Sequence, residues 1–86
     1  MRPNPFRAEA EVEFTLASAG RADLRVYDVL GREVRSLLRG ERLAAGPQRA
    51  SWDGRRNDGG AAGAGVYFVR LELAGRSWTR AVVRVR

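Results

Sequence analysis

The stretch SWDGRRNDGGAAGAGVYF, Ser51 to Phe68, passes from a tryptophan through a long run of glycine, alanine, aspartate and asparagine. It then enters the most β-prone segment of the chain, Val66 to Leu73. Either this is a loop that cradles a ligand, or it is a long turn between two strands. The known ligand loops do not fit. A phosphate-binding loop of the G-x-x-x-x-G-K-[ST] type needs a lysine, and the chain has none. The dinucleotide pattern G-x-G-x-x-G begins at Gly63 and Gly65 but meets Phe68 where its third glycine belongs. A calcium loop starting at Asp53 has Arg55, Asp58 and Ala64 at positions that require an oxygen ligand, a glycine and a glutamate. A looser calcium site from Asp53, Asn57 and Asp58 would have Arg55 and Arg56 repelling the ion. The structural alternative needs only ordinary turn chemistry. Aspartate and asparagine bond their own backbone, and glycine enters left-handed conformations at little cost. The expectation is therefore a turn at the end of a hairpin.

Strands flank this turn on both sides. Ala8 to Leu16 alternates strictly, with apolar residues at even positions and polar ones at odd positions. Successive strand side chains point to opposite faces, so one face is buried. After a turn at Ala19–Arg21, residues 22–29 alternate again with Leu24 and Val26 inward, and Leu30–Arg32 is a tight turn around Gly31. Glu33 to Leu43 carries Val34, Leu37 and Leu38 at a spacing that suits a short helix as well as a strand. Gly40 and the short intervals favour a strand. Gln48 to Trp52 is a strand with Ala50 and Trp52 on one face, following a turn at Ala45–Pro47. In Val66 to Leu73, Tyr67, Val69, Leu71 and Leu73 share a face. A two- or three-residue turn at Ala74–Arg76 leads into the last strand, Ser77 to Val85, with Ala81, Val83 and Val85 expected inward and Arg80, Arg84 and Arg86 outward.

Six or seven short strands with regular turn signals define an all-β sandwich, antiparallel because one face of each strand is polar. Residues 8–86 make the single domain and residues 1–7 a linker. The predicted core is built on Phe14, Trp52, Tyr67, Val69 and Leu71. Each large ring would bury on the order of 150–250 Å². Trp78 and Tyr27 fall on predicted outward faces, as contact residues or as rings covering the sandwich edge. Glu9, Glu11 and Glu13 line an outward face, where arginines of a neighbouring strand such as Arg80 or Arg84 would meet them.

Composition removes whole classes of chemistry. The chain has no cysteine and no histidine, and its 16 basic residues are all arginine. Disulfides, thiolate metal sites and Ser-His-Asp catalysis are excluded, as are lysine Schiff bases and lysine–asparagine crosslinks. The expectation is no catalytic residue, no cofactor and no metal. The net charge is +6. The arginines are scattered with no basic run, which favours a solvated β surface over a nucleic-acid partner. No stretch reaches the ~20 apolar residues of a membrane-spanning helix. Residues 1–6 have no apolar signal-peptide region.

Several segments carry a resemblance in order and spacing. Asn4-Pro5-Phe6 precedes the first long strand, and LRVYDVLGREVRSLLRG runs from Leu24 to Gly40. GPQRASWDGRRNDGG runs from Gly46 to Gly60, AGVYFVRLEL from Ala64 to Leu73, and a short basic strand ends the chain. Nearly the whole chain thus resembles the immunoglobulin-like domain of the flagellar hook-capping protein FlgD. It also resembles the C-terminal sorting domains of the type IX (Por) secretion system, which share that architecture. The resemblance implies an immunoglobulin-like (fibronectin III-like) antiparallel β-sandwich of six to seven strands with no active site. It implies a sorting and anchoring module at the C-terminus of a secreted or cell-surface protein, whose other domains lie N-terminal to it. Its partner would be the secretion translocon, which would read the last strand through Arg80, Arg84 and Arg86, with strand addition as one route. The alternative it implies is a structural module for assembly, in a flagellar hook cap or a surface stalk. A carbohydrate- or nucleic-acid-binding sandwich stands behind both.

Overall fold

The structure, a computed structural model, describes residues 4–6 and 8–85. Seven strands follow one another: β1 (Asn4–Phe6), β2 (Ala10–Leu16), β3 (Gly20–Tyr27), β4 (Glu33–Leu43), β5 (Gly46–Trp52), β6 (Gly65–Leu73) and β7 (Arg76–Arg84). Five form one sheet in the order β1-β7-β6-β3-β4, and β2 pairs with β5 in a second. Every pairing is antiparallel except β1 on β7. Among the described residues no helix is long and apolar enough to cross a membrane.

Alternation builds the core. In β2, Ala10, Val12, Phe14 and Leu16 are buried while Glu11, Glu13 and Thr15 are exposed. Leu24 and Val26 of β3 oppose Leu71 and Val69 of β6, and all four are buried. Trp52 is 1% exposed and meets Tyr67 edge-on, with ring centroids 5.0 Å apart. Such a pair adds about 0.5–1.5 kcal/mol beyond the area it buries. Phe14, Trp52, Tyr67, Val69 and Leu71 therefore sit together inside the sandwich.

The helix-like spacing in β4 has a specific origin. Leu24 opposes Leu38, Arg25 opposes Ser36, Val26 opposes Arg35 and Tyr27 opposes Glu33. Leu37 and Val34 are thus extra residues in bulges, and both turn back against the core. A third irregularity, opposite Asp23, places Gly40 at φ +63°. Its amide donates to Asp23 Oδ1 at 2.9 Å and its carbonyl accepts from Arg21 Nη1 at 3.0 Å. Side chains thereby take over the ladder bonds that the bulge breaks.

Three expectations are corrected. Asn4–Phe6, expected within a linker, is a strand running parallel to β7 from Val82 to Arg84. The face of β7 is also reversed. Leu71 opposes Trp78, Val69 opposes Arg80, Tyr67 opposes Val82 and Gly65 opposes Arg84, so these β7 residues face inward. Val82 is fully buried, and Ala81 and Val83 lie on the outer face. The cause is the two-residue turn Ala74-Gly75, with φ +51° and +77°, which puts Leu73 opposite Arg76 and fixes the whole register. Finally, β5 and β6 lie in different sheets, so the glycine-rich segment crosses between layers and does not close a hairpin.

Candidate functional site

The crossing segment, residues 53–64, is held from several directions. Within it, Arg56 N donates to Gly60 O and Ala62 N to Gly54 O, both at 2.8 Å, and Arg55 bridges to Ala61. Asp53 accepts from Arg55 N and Asp58 from Gly60 N, the turn bonding that sequence chemistry anticipates. Underneath, Trp52 Nε1 donates to Arg55 O at 2.9 Å, Tyr67 Oη to Gly63 O at 2.7 Å, and Arg84 Nε to Ala62 O at 2.8 Å. Gly54, at φ +78°, packs so closely that an added Cβ would lie 2.9 Å from an Arg84 nitrogen.

Asn57 joins the segment to the outer edge of β4. Its N–H donates to Val34 O at 3.0 Å, its Oδ1 accepts from Ser36 N at 2.8 Å, and its Nδ2 donates to Glu33 Oε2 at 3.1 Å. One asparagine thus fills the positions a further strand would occupy, closing part of an exposed sheet edge. Nothing in the sequence marks Asn57 for this, because the bond spans residues far apart in the chain.

Between this segment and the β3–β4 turn lies an open groove of about 510 Å³ with Tyr67 at its floor. Its acids are engaged locally. Asp28 Oδ1 accepts from Leu30 N and Arg32 N, and its Oδ2 pairs with Arg32 Nε at 2.9 Å. The Arg32 amide, more than any other group, holds the Asp28 carboxyl below the usual aspartate range. Asp58 is lowered too, first by the Gly60 amide and then by Arg56. Glu33 is tied to Arg25 at 3.2 Å and to Asn57. Asn57 spends its side chain on Ser36 and Glu33, and among the described residues no group of acids is placed to hold a metal ion.

The residues expected to meet a partner are placed differently from the sequence expectation. Arg80 and Arg84 are half-buried on the inward face of β7. The Arg80 guanidinium lies over the Phe14 ring, 5.1 Å from its centroid, and Arg84 reaches the crossing segment. Arg86 lies outside the described residues. Nor is β7 a free edge at its end, since β6 flanks it throughout and β1 pairs with Val82–Arg84. The β2 glutamates meet Arg49, not Arg80 or Arg84: Arg49 Nε is 2.9 Å from Glu13 and Arg49 Nη1 is 3.7 Å from Glu11. Trp78 faces inward and packs against the core, with Arg76 over its ring, so it is not an outward contact residue. Tyr27 lies on the outer face opposite Phe68.

Two stacked sheets, with a tyrosine near the start of β6 whose hydroxyl returns to the backbone upstream, define an immunoglobulin-like β-sandwich. Residues 4–77 match the family described as the FlgD Ig-like domain, and the chain belongs to that family. Among solved structures it is similar to FlgD from P. aeruginosa, with TM-score 0.72 and 22% identity over 85% of this chain and 59% of that one. FlgD from Xanthomonas campestris, described in connection with hook capping in flagellar assembly, aligns with TM-score 0.66 and 26% identity over 88% of this chain and 56% of that one. Dimeric latent PorU from Porphyromonas gingivalis aligns with TM-score 0.72 and 24% identity over 96% of this chain and 9% of that one. The chain therefore spans little more than half of the FlgD chains and a small part of PorU. No curated protein matches the sequence.

Proposed function

We propose that this domain is a non-catalytic assembly module of a secreted or cell-surface protein, acting on a protein partner through its folded surface. The observation that carries this reading is the use of Arg80 and Arg84. These arginines, the best candidates for an exposed recognition tail, are bound into the sandwich against Phe14 and the Ala62 carbonyl. Membership of the FlgD Ig-like family and the likeness to a hook-capping protein support a structural role. The module has no catalytic residue, cofactor or small-molecule substrate in this reading, and nucleic acid is not its partner.

Sorting and anchoring by a type IX-like translocon is the second reading. It is favoured by the PorU alignment, which covers 96% of this chain. Here the translocon would read the intact domain, because β7 supplies the buried Val82 and cannot be peeled away without unfolding. One experiment separates the two. The domain is fused to the C-terminus of an exported reporter in a type IX host, with and without Arg80→Gln/Arg84→Gln. Export and surface attachment that require the domain establish sorting; export that ignores it leaves assembly. Failure of the parent protein to lose assembly when the domain is deleted removes the first reading.

A further inference from the structure

The outer face of the five-stranded sheet is ordered in rows. Arg21 and Arg42 oppose each other at one end, followed by Asp23 and Glu72, then Arg25, Arg70 and Thr79. Next come Tyr27, Phe68 and Ala81, then Val66 and Val83. The half of the face expected to be polar is therefore apolar at its far end. Among the described residues the exposed large apolar ones are Val29 at 67%, Leu30 at 73% and Val66 at 37%: Val29 lines a hollow at this end, Leu30 follows it in the β3–β4 turn, and Val66 stands two residues from Phe68 on the same face. Exposed apolar residues scattered singly are ordinary, whereas a contiguous group marks an interaction surface. A hollow of about 330 Å³ opens there, with Tyr27 and Phe68 as its floor and Val29, Arg70 and Thr79 at its rim.

Charge sets the chemistry of what can cover it. Arg70 opposes Arg25, and like charges directly across a sheet are unfavourable. Arg25 is compensated by Glu33 at 3.2 Å, Glu72 at 3.3 Å and Asp23 at 3.9 Å. Arg70 is exposed, and its guanidinium has no ion pair or hydrogen bond among the described residues. The one acid at the hollow, Asp28, is already occupied by Arg32 and the turn amides. The site thus offers aromatic surface beside an uncompensated guanidinium. A second copy is a poor occupant, because each chain carries +6 and this face offers Arg70 no uncommitted acid: Asp23 and Glu72 pair with Arg25, and Asp28 with Arg32.

We propose that this hollow docks a segment of a partner protein that carries apolar side chains and a carboxylate. The apolar groups cover Tyr27, Phe68 and Val66, and the carboxylate pairs with Arg70. The proposal rests on the reading of the domain as a protein-recognition module and names the partner's chemistry. It concerns a sheet face, so the occupant is a helix or loop and not an added strand, whose backbone bonds need a sheet edge.

The test titrates the ¹⁵N-labelled full chain with two short synthetic peptides. One combines leucine and phenylalanine with aspartate and glutamate; the other replaces the acids by asparagine and glutamine. The expected result is amide shifts confined to Tyr27–Gly31, Val66–Arg70 and Thr79, with the amide peptide at least about tenfold weaker. Arg70→Glu weakens the acidic peptide by about tenfold. The same charge change at Arg42, at the other end of the sheet, has an effect within about twofold. Absence of shifts, equal binding of both peptides, or shifts at the β2 or β4 edge would overturn the proposal. So would concentration-dependent dimerisation abolished by Leu30→Ser, which would make a second copy the occupant. These outcomes are separate from the deletion test, since a domain required for assembly can still fail to bind through this face.

Discussion

At the scale of single residues, three positions show how backbone conformation and contact divide the cost of a substitution. Gly54 and Gly59 both have positive φ, +78° and +87°, but only Gly54 has a neighbour within reach of an added Cβ. Gly59→Val should cost about 1–2 kcal/mol, the strain of a left-handed backbone. Gly54→Val should cost more, because Arg84 must also leave its bond to Ala62 O. Urea midpoints of the two variants measure the difference, and equal costs would show that the Arg84 contact contributes little. Ala74 is the opposite case. Among the described residues it is the non-glycine residue held at positive φ, +51°, in a turn type that favours asparagine there. Ala74→Asn should therefore stabilise the domain by about 0.5–1 kcal/mol, seen as a higher Tm. Tyr67→Phe keeps the ring against Trp52 and removes the bond to Gly63 O, with an expected loss of about 1 kcal/mol.

At the scale of elements, legibility in the sequence depended on whether one pattern or two competed. β2 and β3 each carry one alternation, and their buried faces follow it; in β6 the series Tyr67, Val69, Leu71 and Leu73 is continuous enough to mark the buried face although Val66 and Phe68 on the other face are apolar too. β7 carries two. Ala81, Val83 and Val85 form one apolar series, while Trp78 and Val82 belong to the other. Counting small apolar residues favours the first; the two-residue turn imposes the second, with Arg80 and Arg84 extending their charged ends past the core. In β4 the bulges produced a helical spacing from a strand. β1 gave too short a signal to separate from a linker. The crossing segment was recognisable as turn chemistry, but its docking on β4 through Asn57 depends on contacts between distant parts of the chain. Asn57→Ala removes those side-chain bonds and uncovers the Val34–Ser36 edge. It should lower stability by about 1–2 kcal/mol and speed amide exchange at Ser36. Unchanged exchange there would mean that the edge is protected by other means.

At the scale of the whole molecule, composition dictates the response to pH. Arginine stays protonated throughout the accessible range, and the chain has neither lysine nor histidine. Between the carboxylates and the tyrosines no side chain titrates, so stability should be flat from about pH 5.5 to pH 9. The acid limb is different. Asp28 and Asp58 are held below their ordinary values, chiefly by the Arg32 and Gly60 amides respectively. A carboxyl whose folded value lies below its unfolded one adds stability that is complete above about pH 4 and is lost as pH falls through the folded value. Protonation also leaves the positive charge of 16 arginines without its compensating acids, and their mutual repulsion adds to the loss. Urea midpoints measured against pH should show a plateau followed by a fall below about pH 4. Asp28→Asn should lower the plateau and reduce the acid-dependent fall, since the amide cannot ionise and accepts the turn's N–H bonds more weakly. Added salt should moderate the fall by screening the arginines. A slope between pH 6 and pH 8 would contradict the absence of titrating side chains there. An acid limb identical in Asp28→Asn would show that the turn carboxylate does not contribute to it.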